Sequence, residues 1–519
     1  MMRILLGLGV LAMGAFAACS SSEDEAAPGV DAGADTGPGT SEEAGAPDAN
    51  ADGGTADPNL AHAFTSGTRL RAIWLEAEGG VKQLLGFRDT QLDTDCMFHS
   101  AEDGSFRCVP SAIPFHHTGL AGFTENPPYL EGACNQPFTY APSCPASFAT
   151  GLSTADSGAC IVTTYSRLAV RSVGAVIDAG PDTPYFQNID DAGCAEAGTT
   201  SGALQPVGQL VAPSMFVGAH YETAAAIGQV APRFIVADDG TRAFDGFVDT
   251  TSNEPCRFDI APDGQVRCLP TSVLAAQFPG QFADDKCTRA AAGGYTGCTP
   301  PAYASLTSTA VCTKLLRFAK IGAPITTYYV LGPDGPTDCR PVAAPDGNIF
   351  DTTDVPITTF FAATSTAHVG GARLKEVVAS LPGGASVTIS LFDEGRMEPC
   401  AFGGKFETVA SDGVVHCLPK AEYYHPDQQS SDSTCDAGAG VAIGNRCADG
   451  GAYAYALDTA CPNQQRIYEV VEPDTPLTQV WHPEGDTCTG PTTAAALARA
   501  TKRPLDPSTF VKGDVIVAP

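Results

Sequence analysis

Short apolar segments separated by turn-forming residues recur along the chain after residue 65. Segments 69–76, 83–88, 161–170, 234–237, 326–331 and 387–392 are rich in Val, Ile, Thr and aromatic residues and are bounded by Gly, Pro and Asp. This pattern is typical of β-strands. Extended helical periodicity is absent, and only 492–500, with its alanines, favours a short helix. The sequence therefore predicts an all-β protein.

A separate apolar run lies at the N-terminus. Arg3 supplies a positive charge, and Ile4 to Ala18 form a run of fifteen residues that ends in small side chains and is followed by Cys19. This order is typical of a signal peptide, and the run is short for a membrane-spanning helix. An ordinary secretory signal, with Cys19 incidental, is the alternative to a lipoprotein signal.

Residues 15–19, Ala-Phe-Ala-Ala-Cys, resemble the lipobox of bacterial lipoproteins, except that Phe16 stands where Leu is usual. The resemblance implies removal of residues 1–18, acylation of Cys19 and attachment to a membrane through this lipid alone. Ser20 is compatible with transfer to the outer membrane. We therefore expect a protein of the cell envelope, periplasmic or surface-exposed.

Residues 19–60 are expected to form a disordered acidic tether. Residues 20–60 contain ten Asp or Glu and no Lys or Arg, and Ala, Gly, Ser, Pro and Thr dominate the rest, a composition that cannot bury a core. Its composition resembles the tethers of myxobacterial surface proteins. The whole chain has a formal net charge of -30, which argues against nucleic acid and anionic lipid as partners.

The cysteines that follow the tether fall into three consecutive sets of six. An even number in each set of an exported chain predicts disulfide bonds. We expect sequential pairing within each set, because each such bridge closes a short loop. The sets are Cys96, Cys108, Cys134, Cys144, Cys160 and Cys194; Cys256, Cys268, Cys287, Cys298, Cys312 and Cys339; and Cys400, Cys417, Cys435, Cys447, Cys461 and Cys488.

Residues that flank the cysteines repeat with them, which predicts a triplicated module of about 150 residues. Recurrent elements include an Arg before an apolar residue, an Asp near an aromatic, a Cys-x-Phe, an Asp-Gly hairpin signal, a Cys-Val/Leu-Pro and a later Phe. The predicted repeats span 65–217, 218–361 and 362–513. The recurrent residues are Arg69, Arg233 and Arg373; Asp89, Asp249 and Asp393; Phe87, Phe247 and Phe392; Phe98, Phe258 and Phe402; and Phe216, Phe360 and Phe510.

Two architectures fit these repeats. Each repeat has strands in two halves, so three repeats favour a six-bladed β-propeller. Residues 510–513 match 216–218 and would supply the outer strand of the first blade, which closes the ring. The alternative is three tandem β domains, each stapled by its own bridges.

Candidate chemistry is sparse, and we predict no catalytic, cofactor-binding or metal-binding residues. The common catalytic signatures are missing, and no Cys-x-x-Cys suggests zinc. His116 and His117 form the one adjacent histidine pair and fit an exposed loop better than a metal site. Asp89, Asp249 and Asp393 are more typical of turn caps than of calcium ligands or catalytic acids. The aromatic residues near the cysteines are expected in the core.

The sequence favours a non-catalytic binding or scaffold role for a cell-envelope lipoprotein with an unidentified ligand, since triplicate copies suit a multivalent surface. A secreted hydrolase or lyase with a site at a propeller centre is one alternative, and a glycan-binding adhesin or sensor is another. An active site requires polar residues found in one repeat alone. The tract 423–427 of the third repeat is the first place to look for them. The six-cysteine module itself resembles no characterised family.

Overall fold

A computed structural model describes residues 59–518 except 112–118, 123–127, 142–145, 153–166, 190–192, 279, 294–299, 309–315, 333–337, 345–348, 405–407, 422, 425–428, 436–439, 445–451, 459–462, 472–474, 485–486 and 495–497. The protein is all-β, with short 3-10 turns, and it contains three disulfide-stapled repeats. Within the described part of the chain, no helix has the length and apolarity needed to cross a membrane.

The strands are given below by repeat, in chain order. The first repeat contains β1 (Phe64–Thr65), β2 (Leu70–Ala77), β3 (Lys82–Asp89), β4 (Thr94–Ala101), β5 (Phe106–Pro110), β6 (Gly119–Gly122), β7 (Phe138–Tyr140), β8 (Ala146–Leu152), β9 (Arg167–Val173), β10 (Ile177–Ile189) and β11 (Gly193–Leu210). The second contains β12 (Ala219–Thr223), β13 (Val230–Ala237), β14 (Arg242–Asp249), β15 (Glu254–Ile260), β16 (Val266–Pro270), β17 (Val273–Phe278), β18 (Ala291–Gly293), β19 (Tyr303–Ser308), β20 (Leu316–Pro324), β21 (Thr327–Leu331), β22 (Cys339–Ala343) and β23 (Ile349–Val355).

The third repeat completes the series. It contains β24 (Ser365–Gly370), β25 (Leu374–Ser380), β26 (Ser386–Asp393), β27 (Glu398–Phe402), β28 (Val409–Ala410), β29 (Val415–Pro419), β30 (Tyr423–Tyr424), β31 (Val441–Gly444), β32 (Tyr453–Asp458), β33 (Gln464–Val470), β34 (Gln479–Glu484), β35 (Thr487–Thr493), β36 (Ala498–Pro504) and β37 (Lys512–Val517). Strands β35 and β36 occupy most of 492–500, so the helix predicted there is wrong. The 3-10 turns are Leu60–His62, Glu78–Gly80, Pro213–Met215, Ile357–Thr359, Pro382–Gly384 and Pro507–Thr509.

Each repeat builds one antiparallel sheet from strands that lie close together in the chain, except that sheet 1 also includes the C-terminal strand β37. Sheet 1 has the order β37-β2-β3-β4-β5, sheet 2 the order β12-β13-β14-β15-β16, and sheet 3 the order β24-β25-β26-β27-β29. A smaller second sheet in each repeat contains a parallel pair, namely β6 with β8, β17 with β19 and β30 with β32. A projecting hairpin follows in each repeat, namely β10–β11, β21–β22 and β34–β35. The strands of the described residues are not arranged as six four-stranded propeller blades.

The last strand closes the three sheets into a cycle. Strand β37 pairs antiparallel with β2, from Ile73 opposite Val517 to Ala77 opposite Gly513. The predicted pairing of the C-terminal segment with the first repeat is therefore confirmed, although the strand spans Lys512–Val517 and not 510–513. The same backbone hydrogen bond joins each sheet to the next: Cys108 N to Val217 O at 2.9 Å, Cys268 N to Phe361 O at 2.9 Å and Cys417 N to Val511 O at 2.8 Å.

Buried apolar residues fill the space between each pair of sheets. Ile73 and Leu75 of sheet 1 pack with Leu391 and Phe402 of sheet 3. The other two junctions are built in the same way: Val230, Phe247 and Phe258 pack with Ala379 and Leu381, and Leu70, Phe87 and Cys96 pack with Ala237 and Ala243. The three repeats therefore share their cores, unlike three independent tandem domains.

The first bridge of each set has the predicted partners. Cys96–Cys108, Cys256–Cys268 and Cys400–Cys417 form, with Cα–Cα distances of 5.3, 5.3 and 5.4 Å. In the first repeat, Ala101 N donates to Ser105 O at 2.8 Å and Gly104 has a φ of 81°, so the Asp-Gly signal forms a loop longer than two residues. Cys96 then lies opposite Pro110 and bridges diagonally to Cys108.

The second described bridge of each set joins the third cysteine to the sixth. These bridges are Cys134–Cys194, Cys287–Cys339 and Cys435–Cys488. Sequential pairing of the third with the fourth and of the fifth with the sixth is therefore wrong. The cause is that each projecting hairpin folds back onto the turn that carries the third cysteine, through backbone bridges of Tyr129 to Phe186, Phe282 to Tyr329 and Ser430 to Trp481. Cys144, Cys160, Cys298, Cys312, Cys447 and Cys461 lie outside the described residues.

Candidate functional site

The recurrent arginine and aspartate residues form clamps in the first and third repeats. Arg69 donates from Nε and Nη2 to Asp89 at 2.8 and 2.7 Å, and Arg373 donates to Asp393 at 2.7 Å from both nitrogens. Each arginine also donates to the carbonyl of a 3-10 turn late in the same repeat, that of Met215 or Thr509. These contacts fix the end of each repeat against its beginning.

The second repeat uses a different residue at this position. Val230 lies opposite Asp249, as Leu70 lies opposite Asp89, so the counterpart of Arg69 is Gln229. Gln229 Nε2 lies 3.4 Å from Asp249 Oδ2. The prediction that Arg233 is the counterpart of Arg69 is therefore wrong. Arg233 is also followed by an apolar residue, but it lies four residues after Gln229.

The three repeated aspartates cap turns, as predicted. Asp89 is fully buried and Asp249 and Asp393 nearly so. The Oδ1 atom of each accepts two backbone N–H groups, from Gln91 and Leu92, from Thr251 and Ser252, and from Gly395 and Arg396. Since protein donors already occupy these oxygens, their role is the structural one. No group of metal-ligating side chains occurs among the described residues.

The histidine pair and the tract 423–427 lie mostly outside the described residues. His116 and His117 lie outside the described residues, as do residues 425–427 of the tract in the third repeat. Tyr423, which begins that tract, is 1% exposed and packs in the core of the smaller sheet with Ala442 and Ala454.

A segment that sequence reasoning did not identify lies between the three sheets. The axial segment, residues 59–65, comprises the 3-10 turn Leu60–His62, which contacts β3, β14 and β26, and strand β1, which pairs with β14. Strands β3, β14 and β26 are the third strands of sheets 1, 2 and 3. One short segment at the end of the predicted tether thus touches the equivalent strand of every repeat.

A buried carboxylate of the third repeat holds the axial segment. Asn59 Nδ2 donates to Glu376 Oε2 at 3.0 Å and to Thr388 Oγ1 at 2.7 Å, and His62 Nε2 lies 3.1 Å from Glu376 Oε1. Lys82 N and Thr388 Oγ1 also donate to Glu376. Burial opposes ionisation of Glu376, but the hydrogen bonds from His62 and Thr388 outweigh it and lower the pKa of this carboxyl.

Glu376 breaks the threefold symmetry of the sheets. Leu374 corresponds to Leu70 and Val230, because these residues lie opposite Asp393, Asp89 and Asp249. The position of Glu376 is consequently taken by Ala72 in the first repeat and Pro232 in the second. The third repeat alone supplies the charged anchor for the axial segment at this position.

A second asymmetric group lies between sheets 1 and 2, and we call it the wedge cluster: Tyr221 on β12, Arg233 on β13 and Asp245 on β14. Arg233 Nε donates to Asp245 Oδ2 at 2.9 Å, and its guanidinium carbon lies 4.3 Å from the Tyr221 ring centroid. Phe106 packs on Tyr221 with ring centroids 4.7 Å apart. Burial and the negative charge of Asp245 raise the pKa of Tyr221 to about 12.

Part of the hydrogen-bonding capacity of the wedge cluster is unused. Within the described part of the chain, the Tyr221 hydroxyl, Arg233 Nη1 and Asp245 Oδ1 have no hydrogen-bond partner. The Arg233 and Asp245 side chains are 15% and 24% exposed, and Tyr221 is partly exposed. These groups are therefore open to a ligand or to water.

A third polar group, in the third repeat, differs because its tyrosine hydroxyl and both of its carboxylate oxygens have partners within the group. Arg396 donates to Glu398 Oε1 at 2.6 Å and to the Tyr453 hydroxyl at 2.7 Å, and that hydroxyl donates to Glu398 at 2.9 Å. Burial and the charge of Glu398 raise the pKa of Tyr453. These hydrogen bonds join Arg396 and Glu398, at the start of β27, to Tyr453 of β32, and this arrangement is typical of a structural role.

Comparison with known proteins places the chain in a family without giving it an activity. No curated protein and no solved structure matches. A family described as "Family of unknown function (DUF7481)" matches residues 51–379. The matched part includes the axial segment, the first two repeats and the first strands of the third. Since the match covers more than half of the chain, the protein belongs to the DUF7481 family.

Proposed function

We propose that this protein is a lipid-anchored component of the cell envelope whose three repeats, together called the head, have a non-catalytic binding or structural role. The observation that carries the proposal is the axial segment. Residues 59–65 begin within the last two residues of the predicted tether, so the tether ends at 58 and not at 60, and they contact all three sheets. Force applied through the tether would therefore be distributed over all three sheets, which suits a protein that is held at a membrane by its N-terminus.

The composition of residues 20–60 supports display away from a membrane. Like charges along a segment favour extension, and ten carboxylates without a basic residue favour distance from an anionic lipid surface. The lipid on Cys19 would then bind the membrane, and the extended acidic segment would set the distance between the membrane and the repeats.

The hydrogen bonds of the buried carboxylates support a non-catalytic role. Asp89 and Asp393 are held by arginines and cap turns, and Glu376 is enclosed by the axial segment. Side chains committed to structure in this way are not available as acids, bases or nucleophiles.

Acylation at Cys19 tests the proposal. We expect the full chain, expressed in a Gram-negative host fed an alkyne fatty acid, to incorporate the label and to sediment with membranes. Cys19→Ser should remove the label and release the protein, because one residue carries the whole anchor. Ser20→Ala is the matched control and should be labelled like the wild type. An unlabelled, soluble wild-type protein would overturn the anchoring.

A further inference from the structure

We propose that the wedge cluster is a binding site for a neutral saccharide. This proposal rests on the binding role proposed above and names the class of ligand. The argument depends on three features of Tyr221, Arg233 and Asp245: their asymmetry, their unused hydrogen-bonding atoms and their charge balance.

The wedge cluster replaces mainly aliphatic residues of the other two junctions. Tyr221 lies opposite Ile235, Arg233 lies opposite Gly246, and Asp245 precedes Gly246. The register places Val515, Ile73 and Leu85 at these positions in sheet 1, and Thr366, Val377 and Ile389 in sheet 3.

Stability does not account for this exchange. Well-packed apolar residues are commonly as stabilising as a partly buried ion pair in the same place, or more so. Ile73 and Leu85 belong to such an apolar cluster at the junction of sheets 1 and 3. The presence of a polar group at only one of the three sheet junctions is therefore better explained by ligand recognition than by a contribution to stability.

The unused atoms of the wedge cluster match the chemistry of a diol. Arg233 Nη1 is a donor, Asp245 Oδ1 is an acceptor and the Tyr221 hydroxyl is both. A sugar hydroxyl accepts one hydrogen bond and donates another, so two neighbouring hydroxyls can satisfy an arginine and an aspartate while the ion pair stays intact. The packing of Phe106 against Tyr221 at 4.7 Å holds the tyrosine in place.

The charge balance favours a neutral ligand. Arg233 and Asp245 together carry no net charge, and an anionic ligand would compete with Asp245 for Arg233. It would also approach a chain with a net charge of -30. A cationic ligand would compete with Arg233 for Asp245. A neutral polyol can bind without displacing either partner of the Arg233–Asp245 ion pair.

Binding of neutral oligosaccharides by the mature chain tests the inference. The protein would carry Cys19→Ser so that it is soluble, and the probes would be an array of glucose, galactose, mannose and N-acetylglucosamine oligomers, with affinities of the hits measured by calorimetry. Tyr221→Phe removes one hydroxyl, and Asp245→Asn removes one charge. Asp354→Asn is the matched control, since Asp354 pairs with Arg317 on the surface of the same repeat.

We expect saturable binding to at least one oligomer. Tyr221→Phe should weaken it about fivefold, as for one neutral hydrogen bond, and Asp245→Asn about tenfold or more, as for a bond to a charged group. Asp354→Asn should bind as tightly as the wild type. Circular dichroism would verify that each variant is folded.

Two results would overturn the saccharide site. One is the absence of binding to every oligomer of the array, and the other is binding that Tyr221→Phe and Asp245→Asn leave unchanged. Either result would leave the anchoring unaffected, because the fatty-acid label reports on Cys19 independently.

Discussion

Replacing Glu376 by alanine is expected to lower the free energy of unfolding by about 3 kcal/mol. Glu376 is 3% exposed, and truncation of its side chain removes a buried acceptor from His62, Asn59 and the Lys82 N–H. The axial segment would then lose its anchor between the sheets. Urea unfolding at neutral pH, monitored by fluorescence, measures the change.

Two variants make this result specific. Glu394→Ala removes an exposed carboxylate of the same repeat, whose Oε2 lies 3.9 Å from Lys375 Nζ, and should change the free energy of unfolding by about 0.5 kcal/mol or less. Glu376→Gln keeps the size of the side chain but not its charge. An unfolding curve for Glu376→Ala that matches the wild type would refute the anchoring role.

The stabilisation by Glu376 should depend on pH. Because the folded protein lowers the pKa of this carboxyl below its ordinary value of 4.5, the ionised group stabilises the fold above pH 4.5. This contribution is lost as the pH falls through the lower, folded value. The difference in stability between the wild type and Glu376→Gln should therefore shrink in acid.

Deletion of residues 512–519 is expected to destabilise the head by about 5 kcal/mol, comparable with the entire stability of many domains. Strand β37 pairs with β2 over five residues and also joins β29. Without it, the edge of β2 is open and the cluster containing Ile73 and Leu75 is uncovered. Thermal unfolding followed by circular dichroism measures the loss.

The matched control changes the sequence of β37 and keeps its backbone. Lys512 and Asp514 form an exposed ion pair at 2.7 Å, so their joint replacement by serine should cost about 0.5 kcal/mol or less. A truncated chain that unfolds at the same temperature as the full chain would contradict the closure of the ring.

Features encoded by nearby residues could be predicted from the sequence. The all-β class, the Asp-Gly hairpins and the bridge Cys96–Cys108 each depend on residues close together in the chain. The capping role of Asp89 is local as well, since its acceptors serve the next few N–H groups. The closing strand was also predictable, because residues 510–513 repeat a motif found before the second repeat.

Features that depend on distant contacts could not be predicted. The bridge Cys134–Cys194 spans 60 residues and forms because a hairpin folds back, which cysteine spacing does not encode. Arg233 resembled Arg69 in its neighbours, and only the strand register assigns that position to Gln229. The axial segment carries no motif, and its place between the sheets depends on Glu376, more than 300 residues away.

Peptide mapping by mass spectrometry under non-reducing conditions tests most directly that one bridge pattern builds all three repeats. We expect peptides joined through the first and second and through the third and sixth cysteines of every set. Cys134 linked to Cys194, Cys287 to Cys339 and Cys435 to Cys488 would confirm the folded-back hairpins. Cys134 linked to Cys144, or bridges between different sets, would contradict the repeat architecture.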